Sequence, residues 1–499
     1  MPTLSKSRFV SGNQCEKKLY FDLYRRDLKP EITEEQRALF NTGHQFGELA
    51  QQVFPDGIDA TQDMNGNWNI AIERTKQWIY EGIKTIYEAT FSIPGGFAAL
   101  DILHHENGES WAIEVKSSTS VKEYHLTDAS FQYFVMTEAG FPPDKVFLMH
   151  INNKYVKQGA IDPTMLFHLE DITAKVLANQ EFVRLKHASL LQLLEAEVEP
   201  NVEIGKHCSS PFSCDYMHHC WAHLPENNIF SLNNARGKDW KFYEQGIYAI
   251  TDIPEGFRLN HRQELQVNGI KNNAEYVDKL KIADFLGLME GPLYFFDFET
   301  INGALPVLDG TSPFEQVPFQ YSLHITDNVG TILEHREFLA RPEDFSDPKA
   351  PNPRLQLIRQ LREDIGDQGS IIAYHASFEK TRLKDLAKSF PDEREFIEGL
   401  LPRFVDLLIP FKSGWYYKPE MGASASIKSV LPAITPEFSY SDLEIGNGGL
   451  ASNTFLAMIQ NTFEGDRQLT TNHLLAYCER DTEGMVVIYR HLLEVINEG

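Results

Sequence analysis

The stretch Leu293-Tyr294-Phe295-Phe296-Asp297-Phe298-Glu299-Thr300 is an apolar run that carries two carboxylates. Its composition predicts a buried strand. Because successive side chains of a strand point to opposite faces, Asp297 and Glu299 lie on the same face. Two carboxylates so placed can share a metal ion. From residue 291 onward the chain alternates predicted strands and helices, as in an α/β layer fold.

Further carboxylates follow this strand along the chain. Ser370 to Tyr374 is a second candidate strand, and it leads into a predicted helix with Glu379 in its first turn. In the last predicted helix, Tyr477 and Asp481 are four residues apart and therefore on one side. With the two carboxylates of the first strand, these groups can hold two divalent ions about 4 Å apart, which bind a scissile phosphate and activate water. Oxygen ligands of this kind select Mg²⁺ or Mn²⁺ over zinc.

The order Asp-x-Glu, then Phe-Glu, then Tyr-x3-Asp resembles the DEDD superfamily of 3′-to-5′ exonucleases, in its tyrosine-bearing branch. The resemblance implies an RNase H-like fold and 3′-to-5′ exonuclease activity. It also implies roles for five residues: Asp297, Glu299, Glu379 and Asp481 are the metal ligands, and Tyr477 orients the attacking water.

Three positions of this region leave alternatives open. The second motif of that superfamily has Asn followed later by Asp, whereas this chain has His375 and Glu379. Asp406 could assist the metal site or cap the helix predicted to start there. Lys428 ends a segment of small residues, 422–428, that could approach a phosphate backbone, and an ordinary turn and helix start explain the segment equally well.

The N-terminal region contains a second candidate site. Residues 97–116 predict two strands around a turn at Asn107-Gly108, a dipeptide that tolerates positive φ. Strand alternation puts Glu114 and Lys116 on one face. Asp101 of the preceding strand can pair with Glu114 as a metal ligand, and Lys116 can bind the attacking water or neutralise charge in the transition state. This arrangement resembles the PD-(D/E)XK restriction-endonuclease-like fold, although an ordinary cross-strand charge pair gives the same pattern.

Two other residues of this region resemble positions of the RecB-like nucleases. His44 precedes the hairpin on a predicted helix, where that family has an additional metal ligand. Gln132 lies where the family has Gln-x3-Tyr, a motif that contacts DNA. In this chain Met136 occupies the tyrosine position, and Tyr133 directly follows the glutamine.

Four of the five cysteines suggest a metal centre. Cys15 is followed, after a long gap, by Cys208-x5-Cys214-x5-Cys220, and Cys478 lies apart from them. Five cysteines are too few for a secreted disulfide scaffold. The one-plus-three pattern resembles the iron–sulfur RecB-like nucleases, including CRISPR-associated members, which implies a [4Fe-4S] cluster. Structural Zn²⁺ is the alternative, and three histidines could take part in it: His207, His218 and His219.

The length of 499 residues predicts more than one domain. From about residue 5 to 495 the chain resembles an uncharacterised bacterial family in which a RecB-like, cysteine-bearing domain precedes a DEDD-like domain. We therefore predict a RecB-like PD-(D/E)XK domain with the cysteine cluster over 1–221, a helical connector over 222–290 and a DEDD-type exonuclease domain over 291–499. Other predicted helices cover 126–138 and 164–195.

The composition limits the partners. A net charge of −25 argues against broad coating of nucleic acid, although a local basic groove can coexist with an acidic exterior. No apolar run approaches the length of a membrane span or resembles a signal peptide, so we predict a soluble cytoplasmic protein without a membrane partner.

The expected function is metal-dependent hydrolysis of phosphodiester bonds in single-stranded DNA or RNA, with a second, RecB-like nuclease site. Two alternatives are a nucleic-acid-binding scaffold with decayed sites and an RNA-processing exoribonuclease. Trp415, Tyr416 and Tyr417 could stack on unpaired bases or belong to the core.

Overall fold

The computed structural model describes residues 3–33, 43, 45–347 and 349–497. The chain divides into two compact units, one of residues 1–223 and 304–314 and the other of residues 224–303 and 315–499. Both contain sheets covered by helices, so the predicted α/β class is confirmed. None of the described helices is long and apolar enough to cross a membrane.

Unit 1 is built on a mixed sheet, which has seven strands among the described residues. The strands are β1 (Leu4–Ser5), β2 (Ile58–Asp59), β3 (Thr85–Ile93), β4 (Gly96–Glu106), β5 (Glu109–Lys116), β6 (Lys145–Ile151) and β7 (Phe167–Asp171). Strands β2 to β7 follow one another across the sheet in chain order, and β1 pairs with β4. The predicted hairpin is confirmed as β4 and β5, which are antiparallel, with φ of 54° at Asn107 and 82° at Gly108.

The helices of unit 1 cover the sheet. They are α1 (Lys6–Gln14), α2 (Glu16–Tyr24), α3 (Trp68–Tyr80), α4 (Glu123–Glu138), α5 (Pro163–Leu166), α6 (Thr173–Ala178), α7 (Gln180–Ala196) and α8 (Met217–Cys220). The prediction of one helix over 164–195 is wrong, because β7 interrupts it. Phe167–Asp171 pairs antiparallel with β6, and this long-range pairing outweighs the local helical pattern.

Unit 2 contains a mixed five-stranded sheet in the order β11-β10-β9-β12-β13. Its strands are β9 (Leu293–Ile301), β10 (Val317–Thr326), β11 (Ile332–Leu339), β12 (Ile371–Ala373) and β13 (Phe404–Asp406); a separate pair is formed by β8 (Tyr276–Val277) and β14 (Tyr416–Tyr417). Strand β9 is central, antiparallel to β10 and parallel to β12. The strand predicted over residues 293–300 thus lies in the middle of the sheet.

Helices pack on both faces of this sheet. They are α9 (Lys238–Glu244), α10 (His261–Asn272), α11 (Lys279–Leu286), α12 (Pro353–Asp364), α13 (Ser377–Ser389), α14 (Arg394–Leu400), α15 (Ile409–Lys412), α16 (Ile427–Ile434), α17 (Gly448–Ile459) and α18 (Arg467–Asn497). Helices α9 to α11 belong to the segment 222–290 expected as a connector, and residues 224–290 lie within unit 2.

Side chains on the two faces of β9 pack in different hydrophobic cores. Phe295 packs in a cluster with Met485 and Tyr489 of α18, whereas Phe296 packs in a cluster with Leu357 of α12 and Leu383 of α13. The alternation expected of a strand is therefore present, and Asp297 and Glu299 continue the face that is covered by α18.

Candidate metal and catalytic sites

Three carboxylates converge in unit 2. One oxygen each of Asp297, Glu299 and Asp481 can be chosen so that all three lie within 4.8 Å of one another. The first two come from the α18-facing side of β9, and the third comes from α18 itself, four residues after Tyr477. Period two in the strand places Asp297 and Glu299 on one face, and the packing of α18 against β9 brings Asp481 to them.

The fourth predicted ligand, Glu379, borders the same cleft. It lies in the first turn of α13 and is 2% exposed, and its Oε2 has no hydrogen-bond partner among the described residues. The cleft has a volume of about 510 Å³. Its lining includes all five residues of the predicted exonuclease site: Asp297, Glu299, Glu379, Tyr477 and Asp481.

Burial and mutual repulsion disfavour the charged forms of these carboxylates. Burial, then the charges of Asp481 and Glu299, raise the pKa of Asp297 well above its usual range. Burial, followed by Asp481, raises the pKa of Glu299 to about 8, and burial raises that of Glu379 to about 8. Such a group of buried carboxylates either takes up protons or is neutralised by a cation.

We expect a pH dependence of stability from these shifts. Because the folded-state pKa of Glu299 lies above the unfolded value of about 4.3, its contribution to stability is complete below pH 4 and is lost as the pH rises through about 8. The metal-free protein should therefore melt at a lower temperature at pH 9 than at pH 6, and added Mn²⁺ should raise the melting temperature more at pH 9.

Scanning fluorimetry of the protein with EDTA or with Mn²⁺ measures both effects. Glu299→Gln is the matched variant, because it removes the titrating group while keeping its shape. We expect a shallower pH slope for this variant without metal. An identical slope in both proteins would contradict the assignment.

Tyr477 lies beside the carboxylates and beside a lysine. The Nζ of Lys428 is 5.3 Å from the ring centre of Tyr477 and the same distance from that of Tyr440, and it donates to the carbonyl oxygen of Gly446 at 2.8 Å. Burial, then the charge of Asp481, raises the pKa of Tyr477 well above its usual range. The phenol therefore keeps its proton at neutral pH.

Two residues of this site escaped the sequence analysis. The hydroxyl of Tyr440 donates to Oδ1 of Asp481 at 2.6 Å. Gly448 begins α17, and a Cβ there would lie 3.4 Å from Oε2 of Glu299 and 3.9 Å from the hydroxyl of Tyr477. Neither lies in a motif, and only the fold brings them to the cleft; the pair Gly448-Gly449 was the one available local signal.

Asp406 and His375 lie next to Glu379. Asp406 ends β13 and does not start a helix, and its Oδ1 accepts hydrogen bonds from the backbone N–H groups of His375, at 2.9 Å, and Leu408, at 3.1 Å. Asp406 therefore does not cap a helix, contrary to the expectation, and instead connects the turn after β12, at His375, to the turn after β13, at Leu408. His375 has a φ of 77°, a strained value for a residue with a side chain.

The aromatic residues 415–417 divide between core and surface. Tyr416 and Tyr417 are buried, 1% and 3% exposed, in the core that contains Phe411. They have no face free for a base. Trp415 is partly buried and borders a different cleft of unit 2, with Lys380.

In unit 1, Glu114 is surrounded by positive charge. Its Oε1 is 2.5 Å from Nζ of Lys6 and 2.8 Å from Nζ of Lys116, and its Oε2 accepts from Nε2 of Gln132 at 2.7 Å. Burial alone would raise the pKa of Glu114, but Lys116 and Lys6 outweigh it and hold the pKa below its usual range. Gln132, expected to contact nucleic acid, is 2% exposed and holds this carboxylate.

Two further acids adjoin Glu114. Oδ2 of Asp101 accepts from the backbone N–H of Val115 at 2.6 Å, and burial, followed by Glu114, raises the pKa of Asp101 to about 8. Glu88 was missed by the sequence analysis: it has a φ of 51° and is left out of the ladder of β3 with β4, whose register is the same on either side of it. Burial, then Asp59, raises the pKa of Glu88 to about 7. The predicted ligand His44 lies outside the described residues.

The four predicted cysteines meet in unit 1. Cys15, Cys208, Cys214 and Cys220 line one small cavity, and none is in a disulfide bond. Burial raises the pKa of three of these thiols, that of Cys214 to about 11, and Cys15 and Cys208 raise it further.

The spacing of the sulfurs bears on the choice of metal. Thiolates around one tetrahedral zinc, with Zn–S bonds of about 2.3 Å, lie about 3.8 Å apart. In the described chain, no three of these cysteines bring their sulfurs within 4.8 Å of one another. His219 packs edge-on against Phe21, and Nδ1 of His218 bonds the carbonyl of Asp215 at 3.2 Å.

Comparison with known proteins finds one family model and several curated proteins that are similar to part of the chain. A family model described as a domain of unknown function (DUF2779) matches residues 294–426. "Uncharacterized protein MG366 homolog" of Mycoplasma pneumoniae is 29% identical over 215 residues, which are 39% of this chain and 31% of that protein. "Uncharacterized protein UU173" of Ureaplasma parvum is 26% identical over 251 residues, which are 46% of this chain and 35% of that protein. The matches thus span about a third of the length of these curated relatives.

One solved structure is also similar, described as the crystal structure of SSO0001. It covers 45% of this chain and 87% of its own, at 14% identity and a TM-score of 0.23. A TM-score this low carries no argument about the fold.

Proposed function

We propose that unit 2 hydrolyses phosphodiester bonds of single-stranded nucleic acid as a metal-dependent 3′-to-5′ exonuclease with an RNase H-like fold. The observation that carries the proposal is the convergence of Asp297, Glu299 and Asp481 within 4.8 Å, in a cleft that also contains Glu379 and Tyr477. Clustered carboxylate oxygens are the donors that Mg²⁺ and Mn²⁺ prefer.

These residues divide the chemistry among them. Asp297, Glu299, Glu379 and Asp481 would hold Mg²⁺ or Mn²⁺, which when bound polarises the phosphate and lowers the pKa of the attacking water. Tyr477, protonated at neutral pH, can hydrogen-bond that water and orient it. Lys428 places positive charge beside Glu299 and Asp481, where it can offset the charge of a phosphate. The missing side chain of Gly448 leaves room next to Glu299.

For unit 1 we propose a RecB-like, PD-(D/E)XK nuclease site at Asp101, Glu114 and Lys116, close to Lys6 and Glu88. Lys6 and Lys116 together are suited to a phosphate once a cation takes their place at Glu114. The four cysteines would hold a [4Fe-4S] cluster, and Lys17 and Lys18 at the border of their cavity can offset its negative charge.

The proposal is tested with anaerobically purified protein and single-stranded DNA and RNA labelled at either end, in the presence of Mg²⁺ or Mn²⁺. Comparing the wild type with Asp297→Asn and Glu114→Gln assigns activity to a unit, and the order in which label is released gives the polarity. Absence of metal-dependent degradation of every substrate would overturn the nuclease proposal and favour a nucleic-acid-binding scaffold.

Tyr477→Phe is expected to lower the single-turnover rate about 10²-fold, because misplacement of a nucleophile by about 1 Å costs that much. The Mn²⁺ concentration for half-maximal activity should stay unchanged, since the variant keeps all four carboxylates. Rapid-quench degradation assays over a Mn²⁺ titration measure both quantities.

Tyr440→Phe is the matched control for that experiment. It removes the hydroxyl that donates to Asp481, so we expect an altered Mn²⁺ requirement with a smaller loss of maximal rate. If Tyr477→Phe kept the wild-type rate, the role given to Tyr477 would be wrong.

A further inference from the structure

Unit 2 contains a second cluster of metal-ligating side chains with a different chemistry. One nitrogen each of His324 and His335 and one oxygen of Glu479 lie within 4.8 Å of one another. The histidines are directly opposite in register on β10 and β11, with ring centres 4.4 Å apart. Glu479 comes from α18, and its Oε1 is 3.7 Å from Nδ1 of His335.

A hydroxyl network orients both imidazoles. Nε2 of His335 is 2.9 Å from Oγ of Ser322, and Nδ1 of His324 is 2.8 Å from Oγ1 of Thr482. The two hydroxyls are themselves 2.7 Å apart. Each ring thus uses one nitrogen in a hydrogen bond and keeps the other, Nδ1 of His335 and Nε2 of His324, for a ligand. Histidines that bind metals are held in this way by their outer partners.

The surroundings favour a cation. Glu337, two residues after His335, adds an exposed carboxylate whose charge interacts with those of His335 and Glu479. Within the described chain, the ion-pair partner of Glu479 is His335 and not a lysine or arginine. His335 and Glu479 are 22% and 48% exposed, which leaves the cluster open to solvent on one side.

We propose that His324, His335 and Glu479 bind a divalent transition-metal ion such as Zn²⁺, at a site separate from the carboxylate cluster. Two imidazoles and one carboxylate select zinc and its neighbours over Mg²⁺ and leave a position for water. The site connects β10 and β11 to the turn of α18 that carries Asp481, because Thr482 and Glu479 flank that residue. Binding therefore stabilises the helix on which the candidate catalytic groups lie.

The test uses the full chain, with Mg²⁺ in large excess to occupy the carboxylate cluster, and Co²⁺ as the spectroscopic probe. Cobalt bound by the cysteines gives sulfur-to-metal charge-transfer absorption in the near ultraviolet, whereas cobalt bound by imidazoles and a carboxylate gives only ligand-field bands. We expect one Co²⁺ per chain that shows only ligand-field bands. Zn²⁺ should displace it, and its binding should raise the melting temperature of unit 2.

His335→Ala and Glu479→Gln should each abolish this binding, and Glu479→Gln changes a half-exposed group whose loss leaves the fold intact. Asp297→Asn and His473→Ala, the latter a histidine of the same helix outside the cluster, should retain it. Equal Co²⁺ binding in all four variants, or absence of ligand-field bands in the wild type, would overturn the proposal.

Discussion

Replacing Asp297 with asparagine is expected to lower the rate of nucleic-acid degradation by about 10³-fold or more and, at the same time, to raise the melting temperature of the metal-free protein. The loss of rate follows because metal-ion catalysis contributes several kcal/mol, and about 1.4 kcal/mol corresponds to each factor of ten. The gain in stability follows because burial and two neighbouring carboxylates disfavour the charge of Asp297, and asparagine removes it. Degradation assays and scanning fluorimetry with EDTA measure the two effects.

Opposite changes in activity and stability distinguish a metal site from a structural one. If Asp297 only stabilised the fold, its substitution would lower both the activity and the melting temperature of the protein. Glu334→Gln is the matched control, because Glu334 is a half-exposed carboxylate of the same sheet that pairs with Arg336, and we expect wild-type activity from it. A fall in the metal-free melting temperature of Asp297→Asn would contradict the electrostatic description of the cleft.

Much of the unit 2 site could be predicted from the sequence, because its geometry is local. Asp297 and Glu299 are two residues apart on a strand, and Tyr477 and Asp481 are four apart on a helix, so the periodicity of each element places each pair. The convergence of the two pairs was inferred from the order of the motifs. It depends on α18 packing against β9, which no local pattern determines.

The residues that were missed depend on contacts distant in sequence or on broken periodicity. Lys6 and Glu114 form an ion pair although they are 108 residues apart in sequence. Tyr440 lies outside the strands and helices and donates a hydrogen bond to Asp481, 41 residues further along the chain. Glu88 has a positive φ and is left out of the ladder of β3 with β4, a local irregularity that strand alternation does not predict. The sequence predicts a helix where β7 lies, because the pairing of β7 with β6 joins segments that no local pattern connects. For Lys6, Tyr440 and β7, an interaction between residues distant in sequence decides the structure, and no local pattern predicts it.

Cys208→Ser should remove the iron and lower the unfolding temperature of unit 1 by roughly 10 °C, because binding a structural metal centre contributes directly to folding free energy and each kcal/mol shifts the melting of a unit of this size by about 2–4 °C. Cys208 is 7% exposed and lies in the cavity with the three other cysteines. A metal centre held by these cysteines would tie the N-terminal end of α2, at Cys15, to residues 208–220. Iron and sulfide analysis of anaerobically purified protein, together with calorimetry, measures both changes.

Cys478→Ser provides the matched control for iron content. Cys478 belongs to α18 of unit 2, where its Sγ faces the carbonyl oxygen of Asp297, and its substitution should leave iron and sulfide at wild-type levels. If the wild type contained zinc but no iron or sulfide, the proposed cluster would be wrong and the alternative, a structural zinc ion, would be supported. Cys208→Ser would then still lower the melting temperature of unit 1, because the cysteines would have lost a structural ion instead of a cluster. Unchanged melting and metal content in Cys208→Ser would show that the four cysteines hold no metal.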